Sequence, residues 1–356
     1  MDRLNLEVID AKELSGELVS TWQEIQQAAP ELRHPMVSTG FTLSVARHRS
    51  DVRVGVLRSG RGVVGFFPYQ HERGGVGRPV GFRLNDYQAA ILAPGADIDV
   101  AWMLRSCGLS SWHFDHLITS QRCFAAGHFL LQDSPYIDLS RGLDAYVASI
   151  AGRARWKSSM RNQERMARDA GPVRFELHTT DDRAFRCLLE WKTAQIRRHG
   201  KRCVFEWPWV IDTLEKLRAK RDPDCSGVLS ALFAGDRLAA VHFGIRSREV
   251  LHWWITTYNQ ELKAYSPGAL LLVRVIEEAA RLGIQRIDLG KGAEPYKEKL
   301  QSGATPLASG VVCSTAWRRI FHKTSHVLQE RVRSSALAGP AKSIAYWLES
   351  RVNRRP

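Results

Sequence analysis

Residues 250–289 read VLHWWITTYNQELKAYSPGALLLVRVIEEAARLGIQRIDL, and this stretch decides the fold. Its β-branched and aromatic residues predict a strand over Val250–Tyr258, and a second strand follows at Ile284–Leu289. Between them, apolar residues at helical spacing predict a helix over Ser266–Leu282, which the next residue, Gly283, ends. A strand, a connecting helix and a further strand are the elements of an α/β fold.

The order of elements in this region also occurs in the N-terminal half of the chain. Pro94 and Pro267, each followed by glycine, lie 173 residues apart, and the hairpin glycines Gly60 and Gly235 lie 175 apart. The nearly constant offset predicts a duplicated β-hairpin–strand–helix–strand unit. The predicted N-terminal elements are strands Asp51–Arg58 and Val63–Tyr69, a β-rich stretch Pro79–Leu92, a helix near Ile98–Ser106 and a strand Trp112–Ile118, and the predicted C-terminal hairpin is Val228–Phe233 with Leu238–Ile245.

A helical segment is predicted between the two halves. Leu143, Val147, Ile150 and Ala154 follow helical spacing, and an arginine-rich helix should run from there to Ala170. Residues 181–199 and 207–221 also read as helices. The last forty residues are basic and read as mostly helical.

Composition excludes several classes of protein. Hydrophobic residues make up 44% and charged residues 25%, which is typical of a globular chain rather than a disordered one. No apolar run approaches the ~20 residues of a membrane span, and residues 1–5 lack the apolar core of a signal peptide. The six cysteines are widely separated, which indicates reduced thiols rather than a disulfide framework or zinc site. We therefore expect a cytoplasmic protein.

The net charge of +14 is concentrated in two segments. The 316–356 segment holds nine Lys and Arg residues against two acidic ones, and the Arg153–Arg174 segment holds seven against two. Such segments attract phosphates, acidic sugars, nucleic acid or anionic lipid, although an exposed helix face can be equally basic.

The start of the predicted helix is a candidate anion site. Ser266 is a favoured N-cap, Pro267 occupies the preferred first helical position, and Gly268 permits close approach to the backbone. Free N–H groups and the helix dipole favour an anion there. Ser-Pro-Gly is also simply a good helix start, so the motif alone does not establish a ligand.

Two motifs together resemble a known family. Tyr265-Ser266-Pro267-Gly268-Ala269-Leu270-Leu271 before the helix, and residues 288–297 (DLGKGAEPYK) after the next strand, resemble the GNAT-superfamily acetyltransferases associated with cellulose and exopolysaccharide synthesis (the CelD/BcsL type). The arginine-rich helix and residues 235–240 fit the same family. The match covers about residues 140–300 well and the N-terminal half in outline.

The resemblance implies two tandem GNAT-like units, as in Fem-type transferases, each a mixed β-sheet flanked by helices. The fold class is then α/β (α+β), with a helical insert and a helical C-terminal tail. The expected divisions are residues 1–140 for the N-terminal unit, 141–222 for the insert and first helices of the second unit, 223–316 for the catalytic unit and 317–356 for the basic tail.

The resemblance also implies the chemistry. Acyl-CoA, by default acetyl-CoA, would be the co-substrate, and an amine or hydroxyl of a sugar, polysaccharide precursor or related metabolite the acceptor, with no tightly bound cofactor and no metal. The expected reaction is direct attack assisted by a general base. The usual pyrophosphate loop has a second glycine that is lacking here, and Pro267 has no N–H. An aminoacyl-tRNA donor, as in Fem-type relatives, therefore stays open.

The candidate catalytic residues follow the helix and its neighbouring strands. His242 and His252 lie on adjacent predicted strands and titrate in the right range for a base, and Glu294 is the carboxylate alternative. Lys297 could stabilise an oxyanion or hold a phosphate, and Tyr296 could protonate the leaving thiolate.

Further residues are candidates for binding. Trp253 and Trp254 should face opposite sides of the sheet, one in the core and one in the cleft. Arg161 and Arg165 share one face of the basic helix with Arg168 and could meet an acidic acceptor or a phosphate. The predicted donor-binding residues are Tyr258, Ser266, Gly268, Ala269 and Lys291, and the predicted acceptor-binding residues are Arg161, Arg165 and Trp254.

Two other functions are compatible with the charge. A nucleic-acid binder would be expected to interleave tryptophan with basic residues, but the Arg153–Arg174 segment contains only Trp156, and no nucleic-acid-binding signature is present. A non-catalytic scaffold could use the basic tail to contact anionic lipid at the inner membrane face. An active enzyme could use the same tail in the same way.

Overall fold

The structure is a computed structural model of the chain. It describes residues 4–60, 62–149, 153–198, 200, 203–292 and 294–315. The predicted basic tail, 317–356, lies outside the described residues.

The described strands match the predicted hairpins closely. Both hairpins form where the β-branched runs flank a glycine turn, and the strand that precedes the Ser-Pro-Gly motif forms at the predicted residues. The strands are β1 Asn5–Asp10, β2 Val52–Ser59, β3 Gly62–Glu72, β4 Val76–Arg78, β5 Ile91–Leu92, β6 Ser111–Ile118, β7 His128–Asp138, β8 Val173–Glu176, β9 Ser226–Ala234, β10 Arg237–Arg246, β11 Val250–Tyr258, β12 Arg286–Asp288 and β13 Gly303–Cys313.

The helices flank this sheet. The predicted helices over the insert and after the Ser-Pro-Gly motif are confirmed to within about two residues at their ends. The helices are α1 Gly16–Ala28, α2 Thr39–Ala46, α3 Val100–Ser106, α4 Leu143–Ser149, α5 Arg153–Ala170, α6 Asp182–Arg198, α7 Pro208–Ala219, α8 Pro267–Arg281 and α9 Pro295–Leu300.

One mixed sheet runs through both halves of the chain. Its order is β1-β2-β3-β4-β6-β13-β7-β12-β11-β10-β9-β8, with β5 paired to β3. The pairs β4–β6 and β11–β12 are parallel, and the other pairs are antiparallel. The parallel pair recurs at the same place in each half, as the predicted duplication requires.

The two units exchange strands at the centre of the sheet. β7 follows the N-terminal unit in sequence but pairs with β12, whereas β13 follows the C-terminal unit and pairs with β6. β7 and β13 also pair with each other. The sheet is therefore continuous, and the divisions at residues 140, 222 and 316 stay predictions.

The core explains why α8 forms where it does. Its apolar residues cover almost the whole helix, because α8 packs between the sheet and α5. Each fully buried Leu, Ile or Val side chain stabilises the fold by ~1.5–3 kcal/mol. The buried residues of α8 are Pro267, Leu270, Leu271, Leu272, Val273, Val275, Ile276 and Ala279.

Parts of the N-terminal prediction were wrong. The stretch Pro79–Leu92 is mostly irregular, with a short 3-10 helix at Phe82–Leu84 and only two residues in β5. The predicted pattern did not include α1, α2 or β7. β7 was not predicted because its apolar and polar residues do not alternate as in a half-buried strand. Residues 130–133 are all exposed, although two of them are leucines.

None of the described helices is long and apolar enough to cross a membrane.

Candidate active site

A cavity opens where two parallel strands of the sheet diverge. β11 and β12 pair over three residues and stop at His252 opposite Asp288, while β11 continues to Tyr258. The cavity, of about 440 Å³, lies in this gap. Its lining residues are Asp86, Lys192, Gln195, Trp253, Trp254, Thr256, Thr257, Tyr258, Gln260, Lys263, Ser266, Gly268, Ala269, Leu289, Gly290, Lys291, Glu294, Tyr296 and Lys297.

The structure brings most of the predicted site residues together here. All five predicted donor-binding residues, all of the predicted catalytic residues that follow α8, and Trp254 line this one cavity. Their roles stay predictions. Trp253 and Trp254 belong to different apolar clusters, as expected for opposite faces of the sheet, but both line the cavity, whereas the prediction placed only one of them there. Trp253 is the more buried of the two.

The start of α8 forms one end of the cavity. Ser266 has a φ of 52° and a ψ of 51°, and its side chain makes no capping hydrogen bond, contrary to the prediction that it is an ordinary N-cap. Its carbonyl instead accepts hydrogen bonds from the N–H groups of Ala269 (3.0 Å) and Leu270 (3.2 Å). Those two donors are therefore already used. Gly268 lies against Tyr258, since a Cβ at this glycine would be 3.5 Å from the Tyr258 ring.

Lys297 organises the loop that follows β12. Its ammonium is buried and donates to the carbonyls of Gly290 (3.2 Å) and Lys291 (3.0 Å), and it forms an ion pair with Glu294 at 2.9 Å. Burial raises the pKa of Glu294, but the bond to Lys297 outweighs this and lowers it. The ammonium of Lys297 therefore already has three partners in the loop, whereas the prediction was that it stabilises an oxyanion or binds a phosphate.

Burial shifts the ionisation of three other groups in the cavity wall. It raises the pKa of Tyr296 to about 12, so this hydroxyl is protonated at neutral pH, as an unperturbed tyrosine also is. It lowers the pKa of Lys192 and of Lys291. Lys192 donates to the carbonyl of Thr256 at 3.1 Å, and Lys291 donates to the carbonyl of Asp115.

Behind the cavity lies a buried acid–histidine pair. Asp288 accepts hydrogen bonds from the hydroxyl of Ser134 and the N–H of Gly290, both at 2.9 Å. His252 Nδ1 lies 3.6 Å from Asp288 Oδ1, and its Nε2 lies 3.3 Å from Asp86 Oδ2. Burial alone would lower the pKa of His252, but the two carboxylates outweigh it and raise the pKa to about 9. Burial would likewise raise the pKa of Asp288, and the contact with His252 lowers it instead.

His34 completes this buried group. It stacks on Tyr87 with ring centroids 4.1 Å apart and meets His252 edge-on at 5.1 Å. Together with His252 and Asp288 it offers three atoms within 4.8 Å that could hold a metal ion. However, His34 Nδ1 accepts a hydrogen bond from the N–H of Met36 at 3.2 Å. The neutral ring then carries its proton on Nε2, so this nitrogen is a donor and not a metal ligand.

His242, one of the three candidates for the base beside His252 and Glu294, lies outside the cavity lining. It is fully buried, and its ring stacks on Trp253 with centroids 3.8 Å apart. Neither ring nitrogen has a hydrogen-bond partner among the described residues. Burial holds its pKa well below the usual value. A base must reach the nucleophile, and this ring faces the core.

Arg161 and Arg165 also lie outside the cavity lining, and their role in acceptor binding stays a prediction. Both are exposed on α5. The guanidinium of Arg165 donates to the carbonyl of Ala264 and lies 4.9 Å from the Tyr265 ring centroid. It supports the segment before Ser266 from the outside.

Several residues of the cavity wall were not predicted. Lys192 could have been found, because it continues the buried face of α6 that Ala184 and Leu188 begin, and a lysine there interrupts an apolar stripe. Lys263 lies three residues before Ser266, in the turn itself. Asp86 carries no such signal, since it lies in an irregular segment 166 residues from His252.

A second cavity, of about 470 Å³, lies near the turn between β10 and β11. Its charged groups already pair with each other, Arg33 with Glu249 at 2.8 Å and Arg248 with Asp224 at 2.7 Å. We therefore place the candidate active site in the β11–β12 cleft, where helix start, lysines and carboxylates converge.

Comparison with known proteins agrees with this assignment of the fold. Residues 154–298 match the family model described as the acetyltransferase (GNAT) domain. This range runs from the second residue of α5 through β11, α8 and β12 to Glu298 in α9. No curated protein matches the chain significantly.

Solved structures share the fold over most of the chain. FemX aligns with a TM-score of 0.57 at 9% identity, covering 89% of this chain and 98% of its own. A tandem GNAT protein from the clavulanic acid biosynthesis pathway aligns with a TM-score of 0.53 at 13% identity, covering 88% and 99%. The C-terminal domain of a proposed lysylphosphatidylglycerol synthetase from Agrobacterium fabrum gives a TM-score of 0.53 at 13% identity, covering 90% and 97%. The chain thus has a tandem GNAT-type fold.

Proposed function

We propose that this protein transfers an acyl group, by default acetyl, from acyl-CoA to an amine or hydroxyl of a sugar, polysaccharide precursor or related metabolite. The observation that carries the proposal is the cavity between the diverging strands β11 and β12, bounded by the start of α8 and lined, except for Asp86, by residues of the matched acetyltransferase region. A thioester inserted there would be within reach of side chains from both strands.

The polar groups at each end of the cavity suit such a donor. The α8 N-terminus carries a partial positive charge, and exposed Lys263 adds a full one beside it, so phosphates of CoA would be favoured at this end. Because Ala269 and Leu270 donate to Ser266, we expect the helix dipole and Lys263 to contribute more than direct backbone hydrogen bonds.

The opposite wall supplies groups for the acyl transfer. Tyr296 retains its proton at neutral pH and could donate it to the departing thiolate. Lys297 and Glu294 hold the loop that carries Lys291, and we propose that they act by shaping the cavity. Tyr258 and Trp254 supply apolar surface along β11.

The resemblance of the two motifs to the CelD/BcsL-type acetyltransferases supports a role in exopolysaccharide biosynthesis. We place the enzyme in the cytoplasm, with contact to the inner membrane face through the basic residues of 317–356. An aminoacyl-tRNA donor is the alternative. The similarity of fold to FemX is compatible with this donor but does not distinguish it from acyl-CoA.

Thermal unfolding of the purified full chain with acetyl-CoA, longer acyl-CoAs and free CoA tests the donor. A ligand at 100-fold over its dissociation constant should stabilise the folded state by about 2.7 kcal/mol, a clear rise in midpoint. The acyl chain that gives the largest rise would identify the acyl group. If none of these compounds shifts the midpoint, the acyl-CoA proposal is wrong, and an aminoacyl-tRNA donor or a scaffold becomes the leading hypothesis.

A further inference from the structure

Asp86 connects the N-terminal half of the chain to the cavity. Among the described residues that line the cavity, it alone comes from the first 140 residues. Its segment is fixed by buried neighbours: Asn85 donates to the carbonyl of Val80 and accepts from the N–H of Tyr87, both at 2.9 Å. The backbone N–H of Asp86 points to the sulfur of Met36 at 3.2 Å. The carboxylate therefore has a defined position.

The two oxygens of Asp86 have different surroundings. Oδ2 lies 3.3 Å from His252 Nε2, whose ring is fully buried, so this oxygen is held from behind. Oδ1 lies 3.9 Å from His116 Nε2, beyond hydrogen-bond distance. The side chain is 30% exposed. A group entering the cavity can thus reach a carboxylate that is already oriented.

His252 is itself held by Asp288, which Ser134, Gly290 and Arg286 surround. With its pKa near 9, His252 is an imidazolium at neutral pH; its Nε2 donates to Asp86 at 3.3 Å, and its Nδ1 lies 3.6 Å from Asp288 as an ion pair. The sequence Asp288–His252–Asp86 runs from the buried sheet to the cavity. A buried ion pair behind His252 and the hydrogen bond from its Nε2 together restrict the rotamer of Asp86.

We propose that Asp86 is the catalytic carboxylate of this cavity, which binds the N–H or O–H of the acceptor and takes its proton, and that His252 is its positioning residue. This inference rests on the proposed acyl-CoA-dependent function. Glu294 suits the task less, because its carboxylate pairs with Lys297 at 2.9 Å and is 54% exposed. The acceptor site is then built by both halves of the tandem fold.

Acyl transfer to the acceptor takes place in two stages. The lone pair of the acceptor nitrogen or oxygen forms a bond to the thioester carbonyl carbon while its proton passes to Asp86. The tetrahedral intermediate then breaks its carbon–sulfur bond, and the electron pair leaves with sulfur. The thiolate takes a proton from water, directly or through Tyr296, which then regains its own proton from water, and Asp86 returns its proton to solvent.

Thiol release from acetyl-CoA tests Asp86 without knowledge of the natural acceptor. Water, and separately glucosamine, serve as acceptor probes, and free CoA is measured with a thiol reagent. We expect Asp86→Asn to lower kcat about 100-fold or more, because a positioned base contributes ~10²–10⁴-fold. The KM for acetyl-CoA should change less than about threefold, and acetyl-CoA should raise the unfolding midpoint of the variant about as much as that of the wild type. Asp97→Asn, an exposed carboxylate of the same half, is the matched control.

The outcomes separate the inference from the proposed function. If Asp86→Asn binds acetyl-CoA and releases thiol as fast as the wild type, Asp86 is not the base. If the wild type binds acetyl-CoA but releases no thiol with either probe above the buffer blank, the inference is also overturned. If the wild type does not bind acetyl-CoA at all, the proposed function fails, and the inference fails with it.

The test of His252 must measure a property that would not change if the residue only stabilised the fold. We expect His252→Ala to lower kcat with acetyl-CoA binding retained, and added imidazole to restore part of the thiol release by occupying the vacated space. The same concentration of imidazole should leave Asp86→Asn unchanged. Equal loss of kcat and binding, with no response to imidazole, would show that His252 only supports the fold.

Discussion

The hydroxyl of Ser134 donates a 2.9 Å hydrogen bond to the carboxylate of Asp288, which lies 154 residues later in the chain. Both side chains are fully buried. Ser134 belongs to β7 and Asp288 to β12, so the bond joins the exchanged strand to the strand that borders the cavity.

Ser134→Ala should therefore destabilise the fold. The substitution removes one donor from a buried carboxylate, and an unsatisfied buried group costs about 1–3 kcal/mol. The free energy of unfolding from urea titration measures this. Ser120→Ala, an exposed serine, is the control and should change it by less than about 0.5 kcal/mol. Equal free energies of unfolding for the two variants would mean that the other partners of Asp288 stabilise its buried carboxylate sufficiently without Ser134.

The stability of the protein should fall as the pH is raised above neutrality. The pKa of His252 is about 9 in the folded state against 6.5 for an unperturbed histidine, so the protonated ring favours folding. This contribution is complete below about pH 6.5 and is lost as the pH rises through about 9, and its size is on the order of 3 kcal/mol. Unfolding free energies between pH 6 and 9.5 measure it.

His252→Gln supplies the control for this pH dependence. The amide does not titrate, so the variant should be less stable at pH 6 and should lose less stability towards pH 9.5. Other groups titrate in this range in both proteins, and only the difference between the two curves belongs to His252. Parallel curves would contradict the raised pKa.

Lys297→Met should lower stability as well as activity. Methionine fills the space but leaves the carbonyls of Gly290 and Lys291 and the Glu294 carboxylate without the ammonium. We expect a loss of about 1–3 kcal/mol in urea unfolding. Lys299→Met changes an exposed lysine of the same helix and should be nearly neutral. Undiminished stability with loss of thiol release would instead support the chemical role predicted from the sequence.

Gly268→Asp should weaken the response to acyl-CoA without unfolding the protein. A Cβ at this position makes only an ordinary 3.5 Å contact with Tyr258, so the side chain can be accommodated. Its negative charge would face the donor's phosphates at the α8 N-terminus, where repulsion between charges ~4 Å apart costs ~1 kcal/mol or more per charge. We expect the dissociation constant for acetyl-CoA to rise about tenfold or more.

Two further variants control for this substitution. Gly268→Ala adds the Cβ without the charge and should bind acetyl-CoA nearly as well as the wild type. Gly16→Asp places the same charge at the first turn of α1, where a Cβ meets nothing within 4 Å. If all three variants bind acetyl-CoA equally, the phosphates do not lie at α8.

The local elements of the C-terminal half were predictable because their signals are local. The strand over Val250–Tyr258, the proline-started helix and the glycine that ends it depend on residues within a few positions of each other. The residues of β11, α8 and α9 share the cavity because fewer than fifty residues separate Val250 from Lys297. All five predicted donor-binding residues accordingly line it.

Burial could not be predicted for the charged residues in the same way. Lys297 reads as a surface lysine at a helix start, yet its ammonium lies inside the loop that it organises. His242 and His252 lie on neighbouring strands, and from the sequence each is an equally good candidate for the general base. Only the packing around them distinguishes a ring stacked on Trp253 from one held between two carboxylates.

The sequence by itself determined the duplicated unit, the Ser-Pro-Gly start of α8 and the β11–α8–β12 order, because periodicity and turn chemistry act over short stretches of chain. Tertiary structure alone decided the exchange of β7 and β13 and the approach of Asp86 to His252. Strand pairing and side-chain contact across 150 or more residues depend on the complementary surfaces of elements already formed, and no local pattern encodes them.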